Sequence, residues 1–547
     1  MRFVTESGKR TTSMEWSSTL SARHAVLTVV SLLSVVSYLT PADAADLAST
    51  LRDLDVNVLP NEERLEVAGT ISRDIERRRL LAIQSENMAW SNVESRSDWE
   101  RFRDQRLNAL RKSLGQFPLL PIDLNIETTG CIEGDGYRIE NIVFESRPGL
   151  LVTANLYLPA KPKASMPAVL LSHSHHNPKT QGELQDMGMT WARRGWVVLV
   201  MDLLGHGERR QHPFVSSDQY PRPFRVGRQD YYFRYNVGLQ LHLVGESLIG
   251  WMVCDLMRGV DVLCSREGVD EDRILLIGSV AGGGDPAAVA AALDPRIAAV
   301  APFNFGGPQP DYPIPEDAEN EFYYFGVAYW ETTRCLRLGG RDGFAHWLIA
   351  AGVAPRGLIY SHEFAWERAR DPVWPRLERV FDFYDAGDRL AVAAGRGHLK
   401  GQPPESTHCN NVGVVHRREL YPHIARWFDW PLPVVIALAD SGKQNFLAAR
   451  PDAVSTWLEA GCAVCLPDLR GYGETSAGSA HGPRSIGTTL SCRDQVLGQT
   501  LLGSRLRDLR SVLLFLQTRS GLNTKVSHWG DSLAALNLPD RSEIVPF

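Results

Sequence analysis

The sequence lacks any excess of basic residues, since 58 Lys and Arg stand against 64 Asp and Glu and the formal net charge is −6. A nucleic-acid-binding surface needs clustered positive charge, so we expect no nucleic-acid partner. Cysteine is scarce, because eight residues in 547 do not make a disulfide framework. The 46 glycines and 32 prolines follow no period, and 44% of the residues are hydrophobic, which excludes collagen-like and disordered chains. The composition is that of a globular protein.

The N-terminal apolar run, Ala25 to Thr40, is short for a membrane span, which needs about 20 residues. Basic residues precede it, and the small-residue stretch Pro41-Ala42-Asp43-Ala44 follows it. This pattern is typical of a secretory signal cut after Ala44. We therefore predict a signal peptide at residues 1–44, an exported protein (periplasmic or extracellular) and no stable membrane span after cleavage. An uncleaved membrane anchor is the alternative interpretation.

The next stretch, residues 45–120, has a charged and helical pattern. Trp99, Phe102, Leu107 and Leu110 recur near helical spacing, and prolines at 118 and 121 break the helix. We predict a helical preface that caps the domain following it.

Residues 121–430 have the pattern of an α/β domain. Apolar stretches at Pro167–Ser172, Gly195–Met201 and Arg273–Ile277 predict buried strands, and the spacing of apolar residues from Val253 to Cys264 predicts a helix between the last two. Strands that alternate with amphipathic helices indicate a mostly parallel sheet with helices on both faces.

The second half of the chain repeats this pattern. The stretch MTWARRGWVVLVMDLLGHGE, ending at Glu208, aligns without a gap with STWLEAGCAVCLPDLRGYGE, ending at Glu474. Asp202 thereby corresponds to Asp468, and later in each copy Asp255 corresponds to Asp508. We predict two related modules joined near residues 430–433, the second of them, residues 431–547, being truncated.

Each copy contains a glycine-rich turn between a strand and a helix. In α/β-hydrolases such a G-x-S-x-G turn exposes the nucleophilic serine. The second copy has Ser532 at this position, within GDSLA. The first copy reads GSVAGGG from Gly278, so that the nucleophile position falls on Val280, or on Ala281 if the register is set by the glycine run. Neither residue is a nucleophile, and Ser279 lies one or two residues too early.

Five motifs of the first copy are NLYLPA, LLSHSHHNPK, MDLLGHGERR, WMVCDLMRGVDVL and RILLIGSVAGGG. Through these motifs, residues from about 90 to 430 resemble the secreted acetyl xylan esterase-like α/β-hydrolases, relatives of dienelactone hydrolase and, more distantly, of glucuronoyl esterases. The resemblance implies the α/β-hydrolase fold and hydrolysis of carboxylic esters, typically of acyl groups on carbohydrate, without a cofactor. It also favours Ala281 as the nucleophile position, because in that group the serine usually stands directly before the glycine run.

The other catalytic groups should follow the turn in the order acid, then histidine. In the first copy Glu363 or Asp371 is the candidate acid, and His408 is the candidate base, with His398 second. The sequence of the second copy ends 15 residues after Ser532, so we expect it to lack the later strands and the acid and histidine that would follow them.

The oxyanion hole of such an enzyme uses main-chain amides. The candidate donors are Ser174 or His175, in the loop after one strand, and the residue after the nucleophile position, Ala281 or Gly282 by register. His173, His175 and His176 share that first loop, but no carboxylate or cysteine spacing completes a metal site, so we predict no metal.

Three functional hypotheses remain. In the first, the chain is an exported carbohydrate ester hydrolase whose activity belonged to a complete second module or uses an unusual nucleophile. In the second, it is an inactive hydrolase-fold protein that binds a ligand or partner in the inherited cleft. In the third, Ser532 is completed by Glu363 or Asp371 and by His408 across the modules. The predicted partner is a small-molecule or carbohydrate ester.

Overall fold

The computed structural model describes residues 43–117, 123–175, 178–211, 218, 226–306, 336–398, 400–408, 412–429, 432–440, 442–459, 462–476, 485–519 and 522–531. The chain divides into two compact units, one up to Ile75 and one from Glu76 onward. The described part of the first unit forms helices α1 (Asp43–Asp53) and α2 (Asn61–Ala68) and the start of α3 (Thr70–Ser91). The apolar run and nearly all of the predicted signal peptide lie outside the described residues.

The second unit is built around a nine-stranded sheet with the order β1-β2-β3-β5-β4-β6-β7-β8-β9. The pairs β1–β2, β2–β3 and β3–β5 are antiparallel, and the six strands from β5 to β9 run parallel to one another. The bounds of the strands are β1 Glu127–Gly134, β2 Tyr137–Arg147, β3 Leu150–Pro159, β4 Met166–Ser172, β5 Val197–Met201, β6 Val269–Gly278, β7 Ile297–Pro302, β8 Gly357–His362 and β9 Leu390–Ala394.

Helices cover both faces of this sheet. Their bounds are α4 Arg96–Ser113, α5 Gly182–Arg193, α6 Val226–Leu243, α7 Leu248–Cys264, α8 Val280–Leu293, α9 Gly339–Asp342, α10 His346–Ala351, α11 Trp374–Asp382 and α12 Val414–Trp427. Successive residues of a strand point to opposite faces. Accordingly Leu170 packs with α7 and α8 in one hydrophobic cluster, whereas Leu171 packs with α5 and α12 in another. Such two-sided burial requires the uninterrupted apolar strands that the sequence contains.

The predicted strands and helix lie at the predicted places. Pro167–Ser172 lies in β4, and Arg273–Ile277 lies in β6. The predicted strand at Gly195–Met201 begins two residues later, as β5, because Gly195 has a positive φ of 89° and forms the turn. The prediction of a mostly parallel sheet with helices on both faces is confirmed.

Within the second unit, α4 and the part of α3 from residue 76 onward pack on one face of the sheet. Trp99, Phe102 and Leu110 of α4 are buried in the same cluster as strand residues of β4 and β6. On α3, the buried Glu86 accepts hydrogen bonds from Trp347 (2.9 Å) and from Arg376 (2.8 Å). A buried carboxylate needs such partners. The preface segment from residue 76 onward is therefore part of the hydrophobic core of the second unit.

A second, three-stranded sheet follows, with all strands parallel and the order β11-β10-β12. Its elements are β10 Leu432–Ala439, α13 Lys443–Ala449, α14 Pro451–Glu459, β11 Ala463–Cys465, α15 Ile486–Val496, α16 Leu501–Gln517 and β12 Leu522–Asp531. The first sheet places β4 between β5 and β6 in the same order. The predicted boundary between the modules, at residue 430, stays a prediction.

No single helix in the described ranges is both long and apolar enough to cross a membrane. One bent pair, Asn236–Leu243 with Leu248–Cys264, meets the length and composition criteria together, with an angle of 99° between its halves. The second half of this pair is α7, which is largely buried against the sheet.

Candidate active site

The turn between β6 and α8 contains one strained residue, Val280. Its φ is +49°, a conformation that a β-branched side chain rarely adopts and that costs on the order of 1–3 kcal/mol. Three main-chain hydrogen bonds hold the turn: Ser279 N–H to the Ser172 carbonyl (3.0 Å), Gly283 N–H to the Ser279 carbonyl (2.9 Å) and Phe303 N–H to the Gly278 carbonyl (2.9 Å). The strain therefore persists because neighbouring strands fix both sides of the turn.

The glycine run after Val280 is required by close main-chain approaches. A Cβ atom on Gly282 would collide with the main chain of Ser174 and His175, and one on Gly283 would collide with the Ser172 carbonyl. The run therefore has a packing role of its own and does not by itself set the register of the nucleophile.

Ser279 precedes the strained residue and is 1% exposed. Its hydroxyl has no hydrogen-bond partner among the described residues. A buried hydroxyl next to the turn is not directed into an open cleft, where an ester could approach it.

The structure brings Glu363 and His408 together. Glu363 directly follows β8, and its Oε1 lies 3.4 Å from His408 Nδ1. The carboxylate is 5% exposed and the imidazole 38% exposed, so one side of the histidine faces solvent. The other carboxylate oxygen accepts a hydrogen bond from Asn304 Nδ2 (2.9 Å). The acid and the base of a catalytic triad pair through the same two groups, a carboxylate oxygen and the imidazole Nδ1.

Hydrogen bonds also fix the main chain of Glu363. Its N–H donates to Asn304 Oδ1 (2.8 Å), and its carbonyl accepts from Thr407 Oγ1 (3.0 Å) and from His416 Nε2 (2.9 Å). The acid therefore has one orientation, set by residues after β7 and after β9.

The alternative acid and base are placed elsewhere. Asp371 is buried, and it accepts hydrogen bonds from Trp366 Nε1 (2.6 Å) and from the Val373 N–H (2.8 Å) at the start of α11. Burial raises the pKa of Asp371 above its usual value. His398 is exposed, and its main chain bonds to the Ser406 hydroxyl. Glu363 and His408 are the predicted residues that the structure brings together.

The loop after β4, which carries the candidate oxyanion donors, is fixed by two histidines. His173 Nε2 accepts from the Leu203 N–H (2.8 Å), and its Nδ1 lies 2.6 Å from the Ser174 carbonyl. His206 Nε2 lies 3.0 Å from the His175 carbonyl. Burial, with the neighbouring His206, lowers the pKa of His173 to about 3, so this ring is neutral and holds the loop as a hydrogen-bonding group.

A buried charge network connects the same loop to the turn after β5. Lys179 Nζ lies 2.5 Å from Asp202 Oδ2 and also contacts Glu208, while the Lys179 N–H donates to Asp202 Oδ1 (3.0 Å). Arg209 donates to the Asp202 carbonyl (3.0 Å) and lies 2.7 Å from Asp255 Oδ2. Two loops at the carboxyl edge of the sheet are thereby locked together.

Acid should destabilise this site through its buried histidines. Burial lowers the pKa of His173 and His362 to about 3 and that of His416 to about 4. Unfolded histidine has a pKa of about 6.5, so the contribution of each neutral ring to stability is complete above that pH and is lost as the pH falls toward the folded pKa. For each ring, the free energy of unfolding should fall by about 2 kcal/mol as the pH falls from 7 to 5.

The measurement is urea unfolding at pH 7 and pH 5 for the wild-type protein and for His416→Gln. A glutamine amide can still donate to the Glu363 carbonyl but does not titrate. The loss between the two pH values should be about 2 kcal/mol smaller in the variant. An equal loss in both proteins would show that His416 is not a buried neutral ring.

No cluster of three or more His, Cys, Asp or Glu side chains that could hold a metal ion occurs in the part of the chain that the structure describes. His176 and Ser532 lie outside that part. The second sheet is described only as far as Asp531, the residue before Ser532.

Sequence reasoning did not find Asn304, Thr407, His416 or His206. Asn304 lies two residues beyond the end of β7, at the carboxyl edge where α/β sheets bind ligands. That position is the one sequence signal that could have indicated it.

Part of the chain is similar to known proteins. Residues 87–305 match the family model described as acetyl xylan esterase. The protein YtaP of Bacillus subtilis (strain 168), named as a hydrolase, is 27% identical over 207 residues, which are 36% of this chain and 62% of YtaP. The match thus spans less than two thirds of that relative.

Solved structures of similar shape include two named as esterases. One, named as an acetyl xylan esterase from Bacteroides fragilis NCTC 9343, has 17% identity and a TM-score of 0.43 over 58% of this chain and 83% of its own. Another, a glucuronoyl esterase from Solibacter usitatus, has 16% identity and a TM-score of 0.39 over 58% of this chain and 91% of its own. The sheet topology and the family match at residues 87–305 together confirm the predicted α/β-hydrolase fold, and within those residues the chain resembles esterases.

Proposed function

We propose that the nine-stranded sheet carries a carbohydrate-ester site of the acetyl xylan esterase type that binds its ligand but forms no acyl-enzyme. The observation that carries this proposal is Val280, a residue without a nucleophile at the strained position of the turn. In an esterase of this fold the strained residue is the serine that attacks the ester carbonyl. A valine side chain cannot form the covalent intermediate.

The position of the strain favours Val280 over Ala281 as the nucleophile position. Only one residue of such a turn adopts the strained conformation, and it presents its side chain at the apex. Val280, the first residue of α8, has φ +49°, whereas Ala281 follows it as the second residue of that helix. The register set by Gly278 thus agrees with the geometry better than the register set by the glycine run.

The remaining machinery supports retention of a binding cleft. Glu363 and His408 are held as an acid and base would be, although no hydroxyl stands at position 280 for the base to deprotonate. With Val280 at the apex, the Ala281 N–H becomes the first candidate oxyanion donor. The second comes from Ser174 or His175, whose main chain is in close approach to Gly282. An ester carbonyl could be polarised there by these amides.

We also propose that the three-stranded sheet belongs to a second hydrolase-like module. Lys443, Asp468 and Glu474 repeat the network of Lys179, Asp202 and Glu208: Lys443 N–H donates to Asp468 Oδ1 (2.7 Å), and Lys443 Nζ lies 2.8 Å from Glu474 Oε2. Asp468 and Asp202 are the same pair that the sequence repeat aligns.

A second correspondence supports the same conclusion. The turn before α7 and the turn before α16 share a positive-φ glycine, Gly245 and Gly498, followed two residues later by a capping hydroxyl. Ser247 accepts from the Gly250 N–H (3.1 Å), and Thr500 accepts from the Gly503 N–H (3.0 Å). Both correspondences support descent of the two sheets from one ancestral module.

The test uses the mature chain with a chromogenic acetate ester and, separately, calorimetric titration with acetylated xylo-oligosaccharides. We expect the same rate of ester hydrolysis in the wild-type protein, in His408→Ala and in Ser532→Ala. We also expect the wild-type protein to bind the oligosaccharides. Activity lost in His408→Ala but kept in Ser532→Ala would mean that the first sheet has another nucleophile, contrary to this proposal.

Loss of activity in both variants would instead support the second candidate, a triad shared by Ser532, Glu363 and His408. Export and the cleavage site after Ala44 belong to this proposal as well, and N-terminal sequencing of the secreted protein tests them.

A further inference from the structure

We infer that Asn304 is a positioning residue that fixes the carboxylate of Glu363 so that one of its oxygens is directed at His408. This inference rests on the proposed acid–base pair, but its test does not depend on ester hydrolysis. Asn304 does not touch His408 in any described contact; it acts through Glu363.

The orientation of the Asn304 amide is determined by its partners. The Glu363 main-chain N–H can only donate, so the atom facing it at 2.8 Å is the Asn304 carbonyl oxygen. The amide nitrogen then faces Glu363 Oε2 at 2.9 Å as a donor. Both polar ends of one side chain thus bind a single residue, one through its main chain and one through its carboxylate.

This arrangement divides the two oxygens of the carboxylate between two partners. Oε2 is occupied by the Asn304 amide, and Oε1 lies 3.4 Å from His408 Nδ1. An ionised carboxylate only accepts hydrogen bonds, so this contact favours the His408 tautomer with its proton on Nδ1 and Nε2 as the acceptor. A base for an ester reaction needs that tautomer.

The position of Asn304 relates the acid to the turn at Val280. Asn304 has φ +62°, a left-handed conformation that asparagine tolerates better than most residues. Its N–H donates to the Ser361 carbonyl of β8 (2.9 Å), and the preceding Phe303 N–H donates to Gly278 at the end of β6. The segment therefore connects three neighbouring strand ends and fixes Glu363 relative to the turn.

Asparagine and aspartate at position 304 should have different effects on Glu363. An aspartate would keep the acceptor for the Glu363 N–H but would replace the amide donor by a second carboxylate oxygen. Like charges at this distance repel, so the Glu363 carboxylate would turn away from its position or become protonated. In either case the Nδ1–H tautomer of His408 would lose its charged acceptor.

The experiment measures the tautomer of His408 by ¹⁵N NMR of histidine-labelled protein at pH 8, with the signal assigned by its loss in His408→Gln. We expect the Nδ1–H form to dominate in the wild-type protein, and the Nδ1–H to Nε2–H ratio to fall about tenfold in Asn304→Asp. Glu363→Gln sets the size of the change that loss of the carboxylate produces.

Asn125→Asp is the matched control. Asn125 also has a positive φ (+47°), and its Nδ2 also donates to a glutamate, Glu145 Oε2 at 3.2 Å, but it is exposed. This control should leave the His408 tautomer unchanged. Asn304→Gly, which suits a positive φ and removes both polar ends, is the second variant in case the aspartate does not fold.

An unchanged ratio in folded Asn304→Asp and Asn304→Gly, with a changed ratio in Glu363→Gln, would overturn the role of Asn304. An unchanged ratio in all variants, Glu363→Gln included, would overturn the acid–base pair itself, and with it that part of the proposed function.

Discussion

Replacing Val280 with serine should create a His408-dependent esterase activity on small acetate esters, on the order of 10² times the wild-type rate. Removing the nucleophile of a serine hydrolase lowers kcat by about 10⁶-fold. A hydroxyl restored at position 280 should therefore recover part of that loss in rate. His408 and Glu363 are already in contact, and the loop after β4 adjoins the turn. Serine also relieves the strain of a β-branched residue at φ +49°.

Three variants make this result specific. Ala281→Ser places the hydroxyl in the other register and should stay at the wild-type rate, while Val280→Ala relieves strain without adding a nucleophile. The double variant Val280→Ser with His408→Ala should lose the gained activity. If esterase activity appeared in Ala281→Ser and not in Val280→Ser, the nucleophile position would be marked by the glycine run and not by the strained residue.

Replacing Lys179 with methionine should lower the unfolding free energy by about 3 kcal/mol. The methionine fills the same space, but Asp202, which is fully buried, loses its charged partner. Removing one partner of a buried ion pair leaves an uncompensated charge, which typically costs 3–5 kcal/mol. Asp202 keeps hydrogen bonds from Thr153 Oγ1 (2.8 Å) and from the Glu208 N–H (3.2 Å), which favours the lower end of that range.

The corresponding lysine of the second sheet is the matched control. Lys443 is 39% exposed against 5% for Lys179, so water already screens its charges. Lys443→Met should cost less than about 1 kcal/mol. Urea unfolding followed by tryptophan fluorescence compares the two variants, and equal losses would contradict the assignment of Lys179 as a buried structural cation.

The fold of the nine-stranded sheet was predictable because its strands are buried on both faces. Such strands are uninterrupted apolar runs, as at Pro167–Ser172. The sequence repeat was detectable for a different reason. Turns such as the one at Asp202 require particular residues at particular positions. Gly207, for example, has φ +56°, and a Cβ there would collide with the Asp202 carboxylate.

The site was predictable only in part. Glu363 and His408 follow from strand order, because an acid after one late strand and a histidine before the last helix meet at the same edge of a parallel sheet. The choice between Val280 and Ala281 depends on a backbone angle, which the sequence does not specify. Asn304 comes from a different strand end and carries no motif, so beyond its place after β7 only its tertiary contacts identify its role.

The most direct test of the account is covalent labelling with a fluorophosphonate, which modifies activated serines, followed by intact-mass and peptide mass spectrometry. The account predicts no adduct on the wild-type chain and one adduct at position 280 in Val280→Ser, dependent on His408. An adduct on wild-type Ser279 or Ser532 would contradict it, because the chain would then already possess the nucleophile that Val280 is proposed to have replaced.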